Sequence, residues 1–136
     1  MIGEVTMQNF NEESKSELKS SMYNSNVHDA TIEKVDYSAF EHKLKISFLS
    51  SSYNERIIYT FCDVKIFLFT RGDWDGDSET VLGLTVEENI SYLKERVACC
   101  DSTTETALYF VLEMFSGDEF HIVSNEVSIE IVKQVD

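Results

Sequence analysis

A chain of 136 residues is the length of one domain and buries about two-thirds of its unfolded surface. With 43% hydrophobic and 12% aromatic residues it has a core of its own and needs no disulfide or metal staple. Its formal net charge of −14, from 25 acids against 11 bases, disfavours nucleic acid and anionic membrane surfaces as partners and favours a basic one.

The charge is uneven. Residues 1–70 hold 10 acids and 7 bases, whereas residues 71–136 hold 15 acids and 4 bases. A modest acidic excess serves solubility, but one concentrated in half the chain points to a contact surface. No apolar run approaches the roughly 18 residues of a membrane span. The opening Met1-Ile2-Gly3-Glu4-Val5-Thr6 lacks the basic and apolar regions of a signal peptide, so the expectation is a cytoplasmic protein. Cys62, Cys99 and Cys100 make an odd count with two adjacent, which suits reduced thiols. The Cys99-Cys100 pair reads as small packed side chains, with a redox or metal pair as the alternative.

There is no proline, no repeat and nothing resembling an interdomain linker, so residues 1–136 form a single domain. Residues 1–8 are expected to be a loose arm or a short edge strand. Asn9 or Asn11 caps a helix over about 11–22, with Glu12 and Glu13 in its first turn and Phe10, Leu18 and Met22 as a thin apolar face. After Asn24-Ser25-Asn26 comes a β-rich body over 27–132, beginning with a strand at 31–37. Leu44, Ile46 and Phe48 alternate with Lys43, Lys45 and Ser47 in a half-buried strand.

The next strand carries Ile57, Tyr59 and Phe61 on one face. The set then becomes Val64, Ile66 and Leu68, a parity change that calls for a bulge or bend at Cys62-Asp63. Phe67 and Phe69 make its second half apolar on both faces, as in a central strand. Residues 80–84 read as a short strand. Thr85 to Glu88 has the form of a capping box, and Val86, Ile90, Leu93 and Val97 predict a helix at about 86–98. Leu108, Phe110, Leu112 and Met114 alternate, and Ser116-Gly117-Asp118 turns the chain. Phe120 and Ile122 return, Asn125 turns it again, and Val127, Ile129 and Ile131 alternate, giving a three-strand meander. The predicted class is α+β: about six or seven mainly antiparallel strands with one or two helices on one face.

The densest acidic cluster, Asp73-Trp74-Asp75-Gly76-Asp77 with Glu79 beyond it, follows the most apolar strand. Alternating carboxylates suit a calcium ion, but the glycine is fourth instead of sixth and the twelfth residue is Leu84 where a bidentate Glu belongs. Strand followed by Asp-x-Asp-Gly is similar to the nucleophile loop of haloacid-dehalogenase-type phosphatases. Thr70-Arg71-Gly72 intervenes, however, and Asp77 stands where that family has Thr. The third reading is a solvated turn that contacts a partner, with Asp73, Trp74, Asp75, Asp77 and Glu79 as its surface and Trp74 either tucked onto the sheet or exposed as an anchor.

His28-Asp29 suggests a metal pair or an acid/base dyad, but His42 and His121 lack ligand spacing. A structural role is the simpler reading: Asp29 accepting backbone N–H groups, His28 bonding a carbonyl. No nucleophile elbow, phosphate-cradling loop or Cys-x-x-Cys is present, so no catalytic residue, metal or cofactor is expected.

Val27-His28-Asp29-Ala30-Thr31-Ile32, followed by a charged hairpin, resembles the opening of a loose group of small bacterial β-rich proteins. In these a His-Asp-[small]-x-Ile segment begins the sheet, and they close as Phe110–Ile122 and Val127–Ile131 do here. The similarity covers roughly residues 27–132. Several such proteins are grouped with immunity proteins of bacterial polymorphic-toxin systems. The resemblance implies binding without catalysis, with a toxin domain of the same cell as partner. The alternatives are a metal-dependent enzyme or calcium-binding domain using the Asp73–Asp77 loop, and a housekeeping domain that is acidic for solubility. Composition and spacing leave the oligomeric state open.

Overall fold

The computed structural model describes residues 2–87 and 107–134. They form a mainly antiparallel sheet of seven strands with one short helix. Strand β1 (Ile2–Asn11) leads through a single 3-10 turn (Glu12–Ser14) into helix α1 (Lys15–Tyr23). Then come β2 (Thr31–Ser38), β3 (Lys43–Ser50), β4 (Glu55–Thr70), β5 (Val81–Glu87), β6 (Leu108–Met114) and β7 (Glu119–Gln134). The hydrogen-bonded order is β2-β3-β4-β7-β6-β5.

The spine is β4 against β7, paired from Glu55↔Lys133 to Thr70↔Glu119. The other edge of β7 serves two strands in series. Its first half takes β6, and its second half takes β1, from Asn11↔Glu126 to Ile2↔Gln134. The segment at 2–11 is therefore a ten-residue edge strand, longer than the loose arm or short strand expected at 1–8, because β7 extends far enough to pair with it as far as Asn11. The two ends of the six-strand path then meet: Thr31 bridges Thr80, Asp29 N–H donates to Val81 O at 2.9 Å, and Ile32 N–H donates to Glu79 O at 2.8 Å. This contact joins the start of β2 to the start of β5 and curls the sheet toward a barrel.

The 3-10 turn begins because Asn11 and Ser14 cap each other, and α1 follows it only from Lys15, later than the start near 11 that the sequence suggests, because Phe10 and Asn11 belong to β1. Asn11 Oδ1 accepts from Ser14 N–H at 3.2 Å, and Ser14 Oγ accepts from Asn11 N–H at 2.9 Å. The buried residues of α1 are Leu18 and Met22, one turn apart, as the apolar spacing required. They join a core built from Leu44, Ile46 and Phe48 of β3, Ile57, Tyr59 and Phe61 of β4, Phe110 and Leu112 of β6, and Val127 and Ile129 of β7. Phe61 and Phe110 meet edge to face, with ring centroids 4.9 Å apart. Tyr59 is wholly buried, and its hydroxyl lies 2.8 Å from Ser25 Oγ. Burial raises its pKa, and the Ser25 bond opposes that rise only in part.

Three further sequence expectations need correction. The bend at Cys62-Asp63 exists: Asp63 is left-handed, with φ of 54°. A second irregularity between Val64 and Ile66 then changes parity again. Val64 therefore joins the main core, while Ile66 and Leu68 pack on the opposite face with Tyr109, Val111 and Val123. Asn125 does not turn the chain. It lies between Ser124 and Glu126, which pair with Val64 and Cys62, and its side-chain amide donates to the Asp63 carboxylate. That bond accommodates the kink in one continuous 16-residue strand. Finally, Val86 and Glu87 belong to β5, paired with Phe110 and Tyr109. The remainder of the helix expected at 86–98, and Cys99 and Cys100, lie outside the described residues.

Candidate functional site

The long β4–β7 pair projects past β3, and the chain leaves its tip at Thr70. Residues 72–80 fold back over the turn between β6 and β7, so closely that a side chain at Gly72 or Gly76 would collide with its backbone. A Cβ at Gly72 would lie 2.3 Å from Gly117 C, and one at Gly76 would lie 2.1 Å from Phe115 O. Gly117 itself has φ of +85° and lies under the Trp74 indole, which a Cβ there would meet at 3.0 Å. Gly72 N–H donates to Asp118 Oδ1 at 2.7 Å, and Trp74 N–H donates to Ser116 O at 3.0 Å. Farther on, Asp77 Oδ1 accepts from Thr80 N–H at 2.6 Å and Glu79 N–H at 2.9 Å. The Thr80 bonds, then the Glu79 amide, hold the Asp77 carboxyl below the usual carboxylate range.

The result is a fixed loop rather than a loose one. Trp74 has one face on Gly117 yet remains 60% exposed, so it is both braced and presented. Beside it runs a shallow groove of about 860 Å³, whose walls include Phe69, Arg71, Asp73, Trp74, Asp77 and Glu79. Phe69 ends a row of rings: Tyr37 to Phe67 at 5.8 Å, Phe67 to Phe120 at 6.1 Å, and Phe120 to Phe69 at 5.0 Å between centroids. Tyr37 and Phe69 are exposed, so this row carries apolar surface from the β2–β3 hairpin to the acidic loop.

Of the residues singled out from sequence, Asp73, Trp74, Asp77 and Glu79 thus share one groove. Asp75 is exposed on the same loop but is not among the residues that line it. Among the described residues no group of three or more His, Cys, Asp or Glu is placed to hold a metal ion. One Asp77 oxygen is already occupied by two backbone amides. The aromatic row and the glycine clamp were not identified from sequence. The clamp had a signal, since Gly72, Gly76 and Gly117 all sit beside tight chain reversals. The row had none, because it depends on the second parity change in β4.

His28 and Asp29 lie elsewhere, at the junction of β2 and β5. Their side chains do not take the backbone partners expected for them. His28 Nδ1 meets Asp29 Oδ2 at 3.1 Å, and both side chains are 65% exposed. Asp29 contributes to the fold through its backbone instead, by its N–H bond to Val81 O and its left-handed φ of 67°. A buried polar chain that sequence did not suggest runs Tyr109 Oη–His121 Nδ1 at 2.7 Å and His121 Nε2–Glu119 Oε1 at 3.1 Å. No helix among the described residues is long and apolar enough to cross a membrane.

Compared with models of protein families, with curated proteins and with solved structures, the chain matches none.

Proposed function

We propose that this chain is a non-catalytic binding protein, an α+β domain whose acidic groove receives a basic segment of a protein partner. One observation carries the reading. Trp74 is exposed yet clamped on Gly117, and it shares a groove with Phe69, Asp73, Asp77 and Glu79. A rigid aromatic anchor loses little entropy on binding, which is how preformed surfaces gain affinity. The surrounding carboxylates steer a cationic partner and set its register. The acidity of residues 71–136 extends the same field beyond the loop. The biological form of this proposal is a cytoplasmic bacterial immunity protein that masks a basic toxin domain, the class suggested by the His28-Asp29 opening.

The test uses an arginine-rich nonapeptide as probe, followed by Trp74 fluorescence. Saturable binding should weaken steeply with salt, and the combined D73N, D75N and D77N variant should bind more slowly with a flatter salt dependence. Asparagine at 77 keeps a side-chain oxygen for the Thr80 amide, so the loop conformation is preserved. Unchanged binding in that variant would remove the loop from the account. The immunity form is tested by co-expression with the product of an adjacent gene that is toxic alone. Protection that survives the triple variant combined with Trp74→Ala would exclude this surface. The competing use of the loop as a calcium or catalytic metal site is tested by calorimetric titration with Ca²⁺, Mg²⁺ and Mn²⁺. Binding heat that disappears in the triple variant would favour that use over the present proposal.

A further inference from the structure

A second concavity lies away from the acidic groove, between the C-terminal end of α1, the loop before β2, the β3–β4 turn and the middle of β5. Its volume is about 540 Å³, within the roughly 300–1,000 Å³ of small-ligand sites. Met22, Val27 and Leu84 give it apolar walls, and the rings of Tyr23 and Tyr53 stand at its margin. Both tyrosines are exposed, at 90% and 60%, although each carries a large apolar ring. The loop that borders it is in an uncommon conformation. Asn26 and Asp29 are both left-handed, with φ of 59° and 67°, and they bracket Val27 and His28.

The described lining of the cleft carries charge of one sign, with Lys19 on the adjoining concavity that shares Met22, Tyr23, Leu84 and Thr85. Among the described lining residues there is one carboxylate, Asp29, and no lysine or arginine. His28 Nδ1 lies 3.1 Å from one oxygen of that carboxylate and leaves the other open. No other side-chain bond reaches Asp29 from the described residues. An anion entering the cleft would meet this carboxylate with no lysine or arginine from the described lining to offset it. A neutral apolar ligand would gain nothing from the Asp29 carboxylate, which stands 65% exposed at the cleft. A cation satisfies the carboxylate and gains from the tyrosine faces, since a ring quadrupole attracts positive charge.

We propose that this cleft binds an organic cation, a guanidinium or alkylammonium group, through the Asp29 carboxylate and the rings of Tyr23 and Tyr53. This inference goes beyond the groove reading and does not depend on it. The same chemistry is offered by a free amine or by an arginine side chain of a protein.

Two probes separate these sources: agmatine, and a terminally blocked Ala-Arg-Ala peptide, with the uncharged citrulline peptide as control. Binding is followed by amide chemical shifts up to about 20 mM, because a single small cation at an open cleft binds in the millimolar range. Saturable shifts should centre on residues 26–29, Tyr53 and Thr85, and the citrulline peptide should give none. Asp29→Asn should weaken agmatine about five- to tenfold, and Tyr53→Leu about threefold. Asparagine tolerates the left-handed backbone at least as well as aspartate, so D29N removes the charge without straining the loop. Binding of the peptide as tight as that of agmatine assigns the site to an arginine side chain; agmatine alone assigns it to a free amine. Absence of saturable shifts with either cation, or agmatine binding unaltered in D29N, would overturn the proposal. The triple variant of the acidic loop should leave this binding unchanged.

Discussion

Gly72→Ala should unlatch the acidic loop without unfolding the sheet. The added methyl would lie 2.3 Å from Gly117 C and 2.5 Å from Gly117 Cα and O. Carbon atoms pack at about 3.5–4.0 Å, so more than about 1 Å must be found, and backbone on both sides leaves no rotamer to yield. Separating the two segments removes the Gly72 N–H bond to Asp118 and the Trp74 N–H bond to Ser116. The first has a carboxylate acceptor and contributes about 1.5–3 kcal/mol; the second contributes about 0.5–1.5 kcal/mol. Asp118 is 7% exposed and loses a donor in the process. The expected loss is therefore about 2–4 kcal/mol, or roughly 8–16 °C in Tm for a chain of this length. Trp74 is the only tryptophan, so the same event reads out as a red shift in emission. Gly83→Ala is the control. Nothing lies within 4 Å of its Cβ position, and it should be neutral or stabilising by up to about 1 kcal/mol. If Gly72→Ala melts within about 1 °C of the native chain with unchanged emission, the loop is not clamped and the rigid-anchor argument fails.

Tyr59→Phe should cost only about 1 kcal/mol in chemical denaturation, because Ser25 Oγ keeps its 2.9 Å bond to Met22 O. The raised pKa of Tyr59 means that its contribution is fully present below the unfolded value near 10 and is lost as pH rises beyond it. Ultraviolet titration should show one tyrosine that ionises only when the chain unfolds in alkali. Asp77 behaves in the opposite sense. Its lowered pKa gives stability that is present above the unfolded value near 3.9 and lost as pH falls through the lower folded value. Carboxyl NMR should place its midpoint below that reference, and a midpoint at or above it would contradict the Thr80 bonds. Phe61→Ala removes a fully buried ring that meets Phe110 edge to face, and should cost about 3–5 kcal/mol in denaturant. A loss under about 1 kcal/mol would mean that the core is not packed as described.

How much of this was legible beforehand depends on how local each signal is. An asparagine cap before Glu12 and Glu13, Leu18 and Met22 one turn apart, and the alternation of Leu44, Ile46 and Phe48 are local patterns. Helix α1 and strand β3 followed from them. The acidic loop was legible for the same reason: four carboxylates beside glycines and an apolar strand must face water. Asn125 misled because asparagine suits turns, yet here its amide serves a kink in the neighbouring strand. Val86 misled because a capping-box pattern and an apolar residue are compatible with either a helix start or a strand.

By itself the sequence determined a β-rich domain with a strongly acidic second half and a lone tryptophan among carboxylates, because composition, charge and short-range periodicity need no partner strand to be read. Only the tertiary structure decided that Trp74 is held against Gly117, that Tyr37, Phe67, Phe120 and Phe69 form one row, and that Asp29 and Tyr53 line one cleft. Each of these depends on residues far apart in the chain, and on two parity changes in β4 whose registers are set by β7. A single changed register would send the same side chains to the opposite face.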